Sequence, residues 1–303
     1  MFCSGIFLVV LMKRFANTSA VCYTIYEGSI FAVFEISGEG GCLEPRGDGI
    51  MFTRETLKCD LKSMGLLPEQ TVLIHSSMRA IGEVSGGADT VLDAICEYFE
   101  PGLVVFPTLS FSYVNAEHPE FSVSETPCCT GILPELFRRR PGVKRSHCPT
   151  HSLSALGKDA ADFVSGHGNF DSPAHRNSPW GKLYDRSAVI LFVGTGINCN
   201  TFIHGVEEWL PVPGMLTDSR QELVIIDENA ARIKRPMRRH LGGHSKWYHL
   251  MASPFRENNA LREGMFGNAK VHILDARAAG DLVYQILKRT PLFFTDEYQL
   301  CKA

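Results

Sequence analysis

An α/β layered fold is what the sequence predicts, because short apolar runs that read as buried strands alternate with amphipathic stretches that read as helices, and glycine or proline marks the junctions between them. Residues 53–64 carry apolar side chains at helical spacing, and Gly65 ends them. Residues 71–75 form a short apolar strand, followed over 76–87 by a loop containing Gly82, Gly86 and Gly87. Residues 88–99 form an amphipathic helix with Val91, Leu92, Ile95 and Phe99 on one face. Residues 103–106 are a second strand, stopped by Pro107, and a loop over 108–129 is long enough to be functional or mobile. Residues 131–139 are helical, and residues 189–193 are a fully apolar strand that runs into Gly194 and Gly196, with a new helix starting near Asn200 or Thr201. Later strands fall at 222–226 and 270–274, and the last clear helix at 275–288.

Residues 1–50 differ from the rest. They mix short apolar runs with glycine-rich stretches and show no sustained period, so they are expected to be a poorly structured extension ahead of an enzyme that starts at Met51; the rival reading is an N-terminal subdomain. The apolar segment from Ile6 to Met12 is too short to span a membrane, and Lys13 and Arg14 follow it, the reverse of the charge order in an export signal. A formal charge of -3 gives no basic footprint for nucleic acid. Ten cysteines lack any C-x-x-C pair and read as scattered reduced thiols, which points to the cytoplasm.

Three segments carry candidate chemistry. In residues 75–87 a glycine loop lies between a strand and a helix, where free N–H groups attract phosphate, with Ser76, Ser77 and Arg79 as further donors. The alternative is an ordinary βα loop; no Walker lysine follows it. In residues 142–152, His147 and His151 flank a rigid proline, and a neutral imidazole is the usual general base near neutral pH. The alternative is a surface loop. In residues 200–208, three-residue spacing puts His204 and Glu207 on one helical face. A zinc site from His147, His151, His204 and Glu207 lacks the H-E-x-x-H spacing and a thiolate pair. The basic run 234–240 reads as a solvated face, and residues 242–247 give a weak signal for substrate contact.

Taken together these segments resemble the aminoglycoside 3-N-acetyltransferase family. The resemblance rests on residues 75–82 with 86–91, Pro107-Thr108, Thr126-Pro127 with 130–135, 137–139 with 141–143, Arg145-Ser146, 149–152, 178–181, and Asn200-Thr201 with His204 and Glu207. It runs from about residue 51 to about 210 and continues loosely to the end. It implies a central mixed β-sheet flanked by helices, distinct from the GCN5-related acetyltransferase fold, in a domain spanning 51–303. It implies acetyl-CoA as co-substrate, no metal, and a small-molecule amine as acceptor, with no nucleic acid or membrane partner and a monomer or homodimer. His151 corresponds to the family's base and Glu207 to the carboxylate that orients it. Ser76, Ser77, Arg79, Gly82, Val84 and Gly131 fall in the coenzyme site, with Arg79, Arg138 or Arg139 available to phosphate. His204 and Glu208 fall on the acceptor side. Cys148 departs from the pattern, since a histidine usually precedes the proline there; the nearest histidine in this chain is His147. The same transfer to a non-antibiotic amine, a zinc hydrolase, and a binding protein without catalysis are the rival readings.

Overall fold

The computed structural model describes residues 51–301 and, before them, only the backbone of three strands. These are β1 (Lys13–Arg14), β2 (Ser19–Tyr26) and β3 (Ser29–Ser37), which pair antiparallel in that order. How the first fifty residues pack lies outside the described residues.

From Met51 the chain reads as follows. Helix α1 (Arg54–Ser63) starts at a capping box, in which Thr53 and Thr56 each accept from the other's backbone amide. Strand β4 (Thr71–Ser76) leads through α2 (Met78–Ile81), a single turn inside the expected loop, to α3 (Gly87–Tyr98) and β5 (Leu103–Pro107). The segment expected to be a long loop contains β6 (Glu120–Ser122), and α4 (Ile132–Phe137), β7 (Lys144–Arg145) and β8 (Leu153–Gly157) follow. Two short helices, α5 (Ala160–Val164) and α6 (Pro179–Asp185), precede β9 (Val189–Val193) and α7 (Thr201–Trp209). Strands β10 (Gln221–Ile226) and β11 (Arg232–Met237), helix α8 (Ala252–Glu257), strands β12 (Leu261–Phe266) and β13 (Ala269–Asp275), and helices α9 (Ala276–Arg289) and α10 (Asp296–Leu300) complete it.

Seven strands form one mixed sheet in the order β12-β13-β9-β4-β5-β8-β7. Its centre, β9-β4-β5, is parallel, and the pairs outside it are antiparallel. The two-residue period of a strand sends alternate side chains to opposite faces. Val72 and Ile74 enter one core with helices α1, α3 and α4; Leu73 enters the other with α5–α9. Leu103 and Val105 split from Val104 and Phe106 in the same way, as do Ile190 and Phe192 from Leu191 and Val193. Covering both faces is why these strands are apolar throughout. A second sheet, β11-β10-β6, closes a small core of Val114, Phe121, Val123, Cys148, Leu223, Ile225 and Met237.

Among the described residues no helix is long and apolar enough to cross a membrane. Six described cysteines are free thiols, whereas Cys59 is disulfide-bonded. The expectation that every thiol is reduced therefore fails at Cys59.

Candidate active site

The carboxyl ends of β4, β5 and β9 share one edge of the large sheet, the usual place for ligands in an open α/β sheet. Because β8 runs antiparallel to β5 and pairs Leu153 with Pro107, the residues just before it, including His151, lie at that same edge. Several tethers fix the His151 turn. Ser110 donates its amide to the Thr150 carbonyl at 2.9 Å and its hydroxyl to the Pro149 carbonyl at 2.7 Å, and the Trp180 indole donates to the His151 carbonyl at 3.0 Å. Arg145, buried under Phe121, donates to the carbonyls of Thr108 at 2.9 Å and Thr126 at 2.6 Å and to the Ser152 hydroxyl at 3.0 Å, so one side chain binds three loop segments. Burial lowers its guanidinium to about 10.

His151 is 7% exposed, and both ring nitrogens have partners: Nδ1 lies 2.9 Å from the Thr150 hydroxyl and Nε2 3.1 Å from His240 Nδ1. Phe111 stacks on the ring at 5.8 Å and is itself 43% exposed, so it forms a wall between the imidazole and solvent. Burial, and then the neighbouring His240 and His204, hold the His151 imidazolium well below its ordinary range. The ring is therefore neutral at pH 7, the form a general base requires.

Helix α7 supplies the acids. Glu207 is fully buried; its Oε1 lies 2.6 Å from His244 Nδ1, and its Oε2 lies 3.2 Å from His204 Nδ1 and accepts from the Tyr248 hydroxyl. Burial acts to raise the Glu207 carboxyl, but the hydrogen bonds from His204 and His244 outweigh it and bring it down to about 2. The expected pairing of Glu207 with His151 is not the one found, because both Glu207 oxygens are taken. Glu208 instead lies in line with His151. Its Oε1 is 2.5 Å from His240 Nε2 and accepts from the Ala174 amide at 2.7 Å. Burial raises the Glu208 carboxyl to about 7.

The structure thus brings together the expected His151, His204, Glu207 and Glu208, and adds His240, His244 and Tyr248. His240 sits just beyond β11, in the run read as a solvated basic face. It points inward because a backbone bridge to Leu216, continued by the Leu241 amide on the Met215 carbonyl at 3.0 Å, turns the chain after that strand. His147 lies away from the cluster, 3.0 Å from Glu228 on the surface, which removes one member of the suggested zinc set. Among the described residues no group of three or more histidine, cysteine or acidic side chains is placed to hold a metal. Cys148 is 1% exposed, and burial raises its thiol to about 11, so it offers little thiolate.

The residues expected at the coenzyme separate into two sets. Gly82 and Val84 answer to protein neighbours: Gly82 has φ +94° and would press a Cβ to 2.9 Å from Asn268 Nδ2, and Val84 is bridged to Phe52. The Ser76 hydroxyl is buried without a partner, Ser77 makes no side-chain cap, Arg79 is exposed with no ion pair among the described residues, and Gly131 has open space beside it. Helix α3 follows Gly86, φ +80°, without a side-chain cap; the Gly87 amide donates to the Val84 carbonyl at 2.9 Å, and the amides of the first turn after it can face an anion. Thr195 and both amide atoms of Asn200, at the same sheet edge, are also buried without partners, and Asn200 precedes α7 without capping it through its side chain. These unpaired groups fit a polar ligand such as a pantetheine–pyrophosphate chain. Arg138 does not: it is buried, ion-paired to Glu135 at 2.7 Å, and donates to the Glu125 carbonyl at 3.5 Å. Arg139 also pairs with Glu135, at 2.6 Å.

Residues 73–288 match the family described as aminoglycoside 3-N-acetyltransferase. The chain is similar to aminoglycoside N(3)-acetyltransferase VII of Streptomyces paromomycinus, 29% identical over 264 residues covering 78% of this chain and 91% of that one. It is also similar to the SPbeta prophage-derived aminoglycoside N(3')-acetyltransferase-like protein YokD of Bacillus subtilis, 27% identical over 250 residues covering 76% and 90%. The crystal structure of YokD superposes with a TM-score of 0.71 at 25% identity, over 82% of this chain and 96% of that one. A structure of AAC-IIIb in binary complex with CoASH shares the fold, with a TM-score of 0.70 at 22% identity, over 79% and 97%. The matched span holds the glycine loop and every residue of the histidine–glutamate cluster, and the chain belongs to the aminoglycoside 3-N-acetyltransferase family.

Proposed function

We propose that this chain moves the acetyl group of acetyl-CoA directly to a primary amine, the 3-amino group of a 2-deoxystreptamine aminoglycoside, with His151 as general base. The observation that carries this reading is a neutral, buried imidazole at the sheet edge where the glycine loop begins, with the buried Glu208 reached through His240. An ammonium is no nucleophile, so the acceptor must lose a proton before or during attack on the thioester carbonyl. His151 receives it. The negative charge of Glu207 attracts a polycationic acceptor, and His204 and Glu208 line its side of the site. Ser76, Ser77 and Arg79 with the start of α3 hold the pyrophosphate, and Gly131 leaves room for the pantetheine arm. Cys148 takes no part, since its thiol stays protonated. The donor is an intracellular metabolite, so this reading carries a cytoplasmic location with it, in a domain spanning residues 51–303.

Release of free thiol from acetyl-CoA, measured against a panel of aminoglycosides and simpler amines, tests the reading. Turnover with deoxystreptamine aminoglycosides and acetylation at the 3-amino nitrogen support it. Turnover confined to other amines keeps the chemistry and replaces the acceptor. No turnover with any amine overturns it in favour of a binding role.

A further inference from the structure

Three side chains from three separate elements lie in an unbroken line. His151 Nε2 is 3.1 Å from His240 Nδ1, and His240 Nε2 is 2.5 Å from Glu208 Oε1. The His240 side chain is 6% exposed and the Glu208 side chain 2%, so water does not compete for these contacts. The His151 and His240 rings meet edge to face with centroids 4.4 Å apart. The carboxylate that would ordinarily touch a catalytic imidazole is here one imidazole further away. Resting on His151 as the base, we propose that His240 is a positioning residue that passes a proton between His151 and Glu208, with Glu208 as the end of the relay.

The step balances with one tautomer of each ring, assigned from the contacts. In the resting site His240 Nε2–H donates to the Glu208 carboxylate, and His151 Nε2–H donates to His240 Nδ1. That leaves the lone pair on His151 Nδ1, where the Thr150 hydroxyl donates until an acceptor amine displaces it. When the amide C–N bond forms, the amine proton moves to His151 Nδ1, the His151 Nε2 proton to His240 Nδ1, and the His240 Nε2 proton to Glu208. The thioester C–S bond breaks, and the coenzyme leaves as thiolate. For a neutral amine the proton then returns along the same line, through His151, to the thiolate, and the balance closes; an acceptor that arrives as ammonium releases its additional proton to solvent. Neither imidazole carries a full positive charge for long.

The surroundings favour this direction. Burial, His204 and His244 disfavour charge on His240, against the attraction of Glu207. Burial, His240, His204, His167 and Arg239 disfavour it on His151. Around Glu208, burial outweighs the Ser172 hydroxyl, the Ala174 amide and the nearby His204 and His175, and leaves the carboxyl near 7, where accepting a proton is close to neutral in free energy. Glu207, by contrast, stays ionised and cannot serve as the terminus.

The test uses the full chain with Glu208→Gln, His240→Gln, the double variant and His151→Ala. Melting temperature and coenzyme A binding by calorimetry report folding. The relay predicts that each single variant lowers kcat by roughly tenfold to a hundredfold, below the ~10²–10⁴ expected of the base itself. KM for acetyl-CoA changes by less than about threefold, and the double variant is no worse than the worse single one, as for groups that act as one unit. The limb of the kcat–pH profile set by Glu208 near 7 disappears in Glu208→Gln. Should Glu208→Gln not fold, His240→Gln and its pH profile decide the matter. Folded variants with parental kcat and an unchanged profile overturn the relay while a crippled His151→Ala leaves the base in place. An active His151→Ala overturns the base itself.

Discussion

Glu207 and Glu208 are consecutive in α7, yet their surroundings move their carboxyls in opposite directions from the ordinary value of 4.5, to about 2 and about 7. The depressed Glu207 contributes stability that is present above about pH 4.5 and lost as the pH falls toward 2. The raised Glu208 favours the fold below about pH 4.5, and that contribution is lost as the pH rises through 7. Glu208→Gln keeps an acceptor for the Ala174 amide, so it should melt a few degrees above the parent at pH 8, with the gap closing by pH 5. Glu207→Gln should melt below the parent at pH 7, with the deficit shrinking toward pH 3. Calorimetric melting across this range checks both signs. The Cys148 thiol, raised to about 11, gives a further expectation: Cys148→Ala should retain kcat within about threefold, measured by thiol release, because direct transfer needs no acyl-cysteine. His151, His204 and Glu207 stood out by residue type and spacing and Glu208 through the family likeness, and the structure gathers all four in one cluster. His240 was not, because it follows Arg235, Arg238 and Arg239, and nothing local distinguishes an inward histidine from the cations of an exposed strand end.

Most of the longer elements were legible, among them β10, β13, α4 and α7, and the short or charge-masked ones were not. The expected strands at β4, β5 and β9 and the helices α1, α3 and α9 appear within a residue or two of their expected bounds. Strand β11 went unread because Arg232 and Lys234 hide its alternation, and β7 is two residues long. The expected loop after β5 holds β6, and what orders the region is Arg145, whose donors satisfy carbonyls of Thr108, Val123 and Thr126 from 19 to 37 residues away in sequence. Arg145→Met removes those donors and leaves buried carbonyls unpaired, so it should cost at least ~2 kcal/mol. Urea unfolding measures that cost, and a midpoint equal to the parent's would show that the loop is held by other contacts.

At the scale of the whole molecule, the sheet separates two apolar cores and leaves a polar edge between them. His75 shows the transition: its ring stacks on Phe192 at 5.1 Å, burial lowers it to about 3, and its Nε2 has no partner. Phe192→Ala should cost about 3–5 kcal/mol by opening a cavity beneath that edge, again read by urea unfolding. The likeness to a family fixed the fold class and the region of the site from the sequence. The wiring of the site was beyond reach, because it joins residues 151, 204–208 and 240–248, whose contacts depend on where β8, α7 and the chain after β11 meet. The central claim is that His151 accepts the amine proton, and the most direct measurement is kcat of His151→Ala with acetyl-CoA and an aminoglycoside, beside its coenzyme A affinity by calorimetry. The account predicts turnover reduced by ~10²–10⁴ with coenzyme A binding essentially unchanged; turnover equal to the parent's would contradict it.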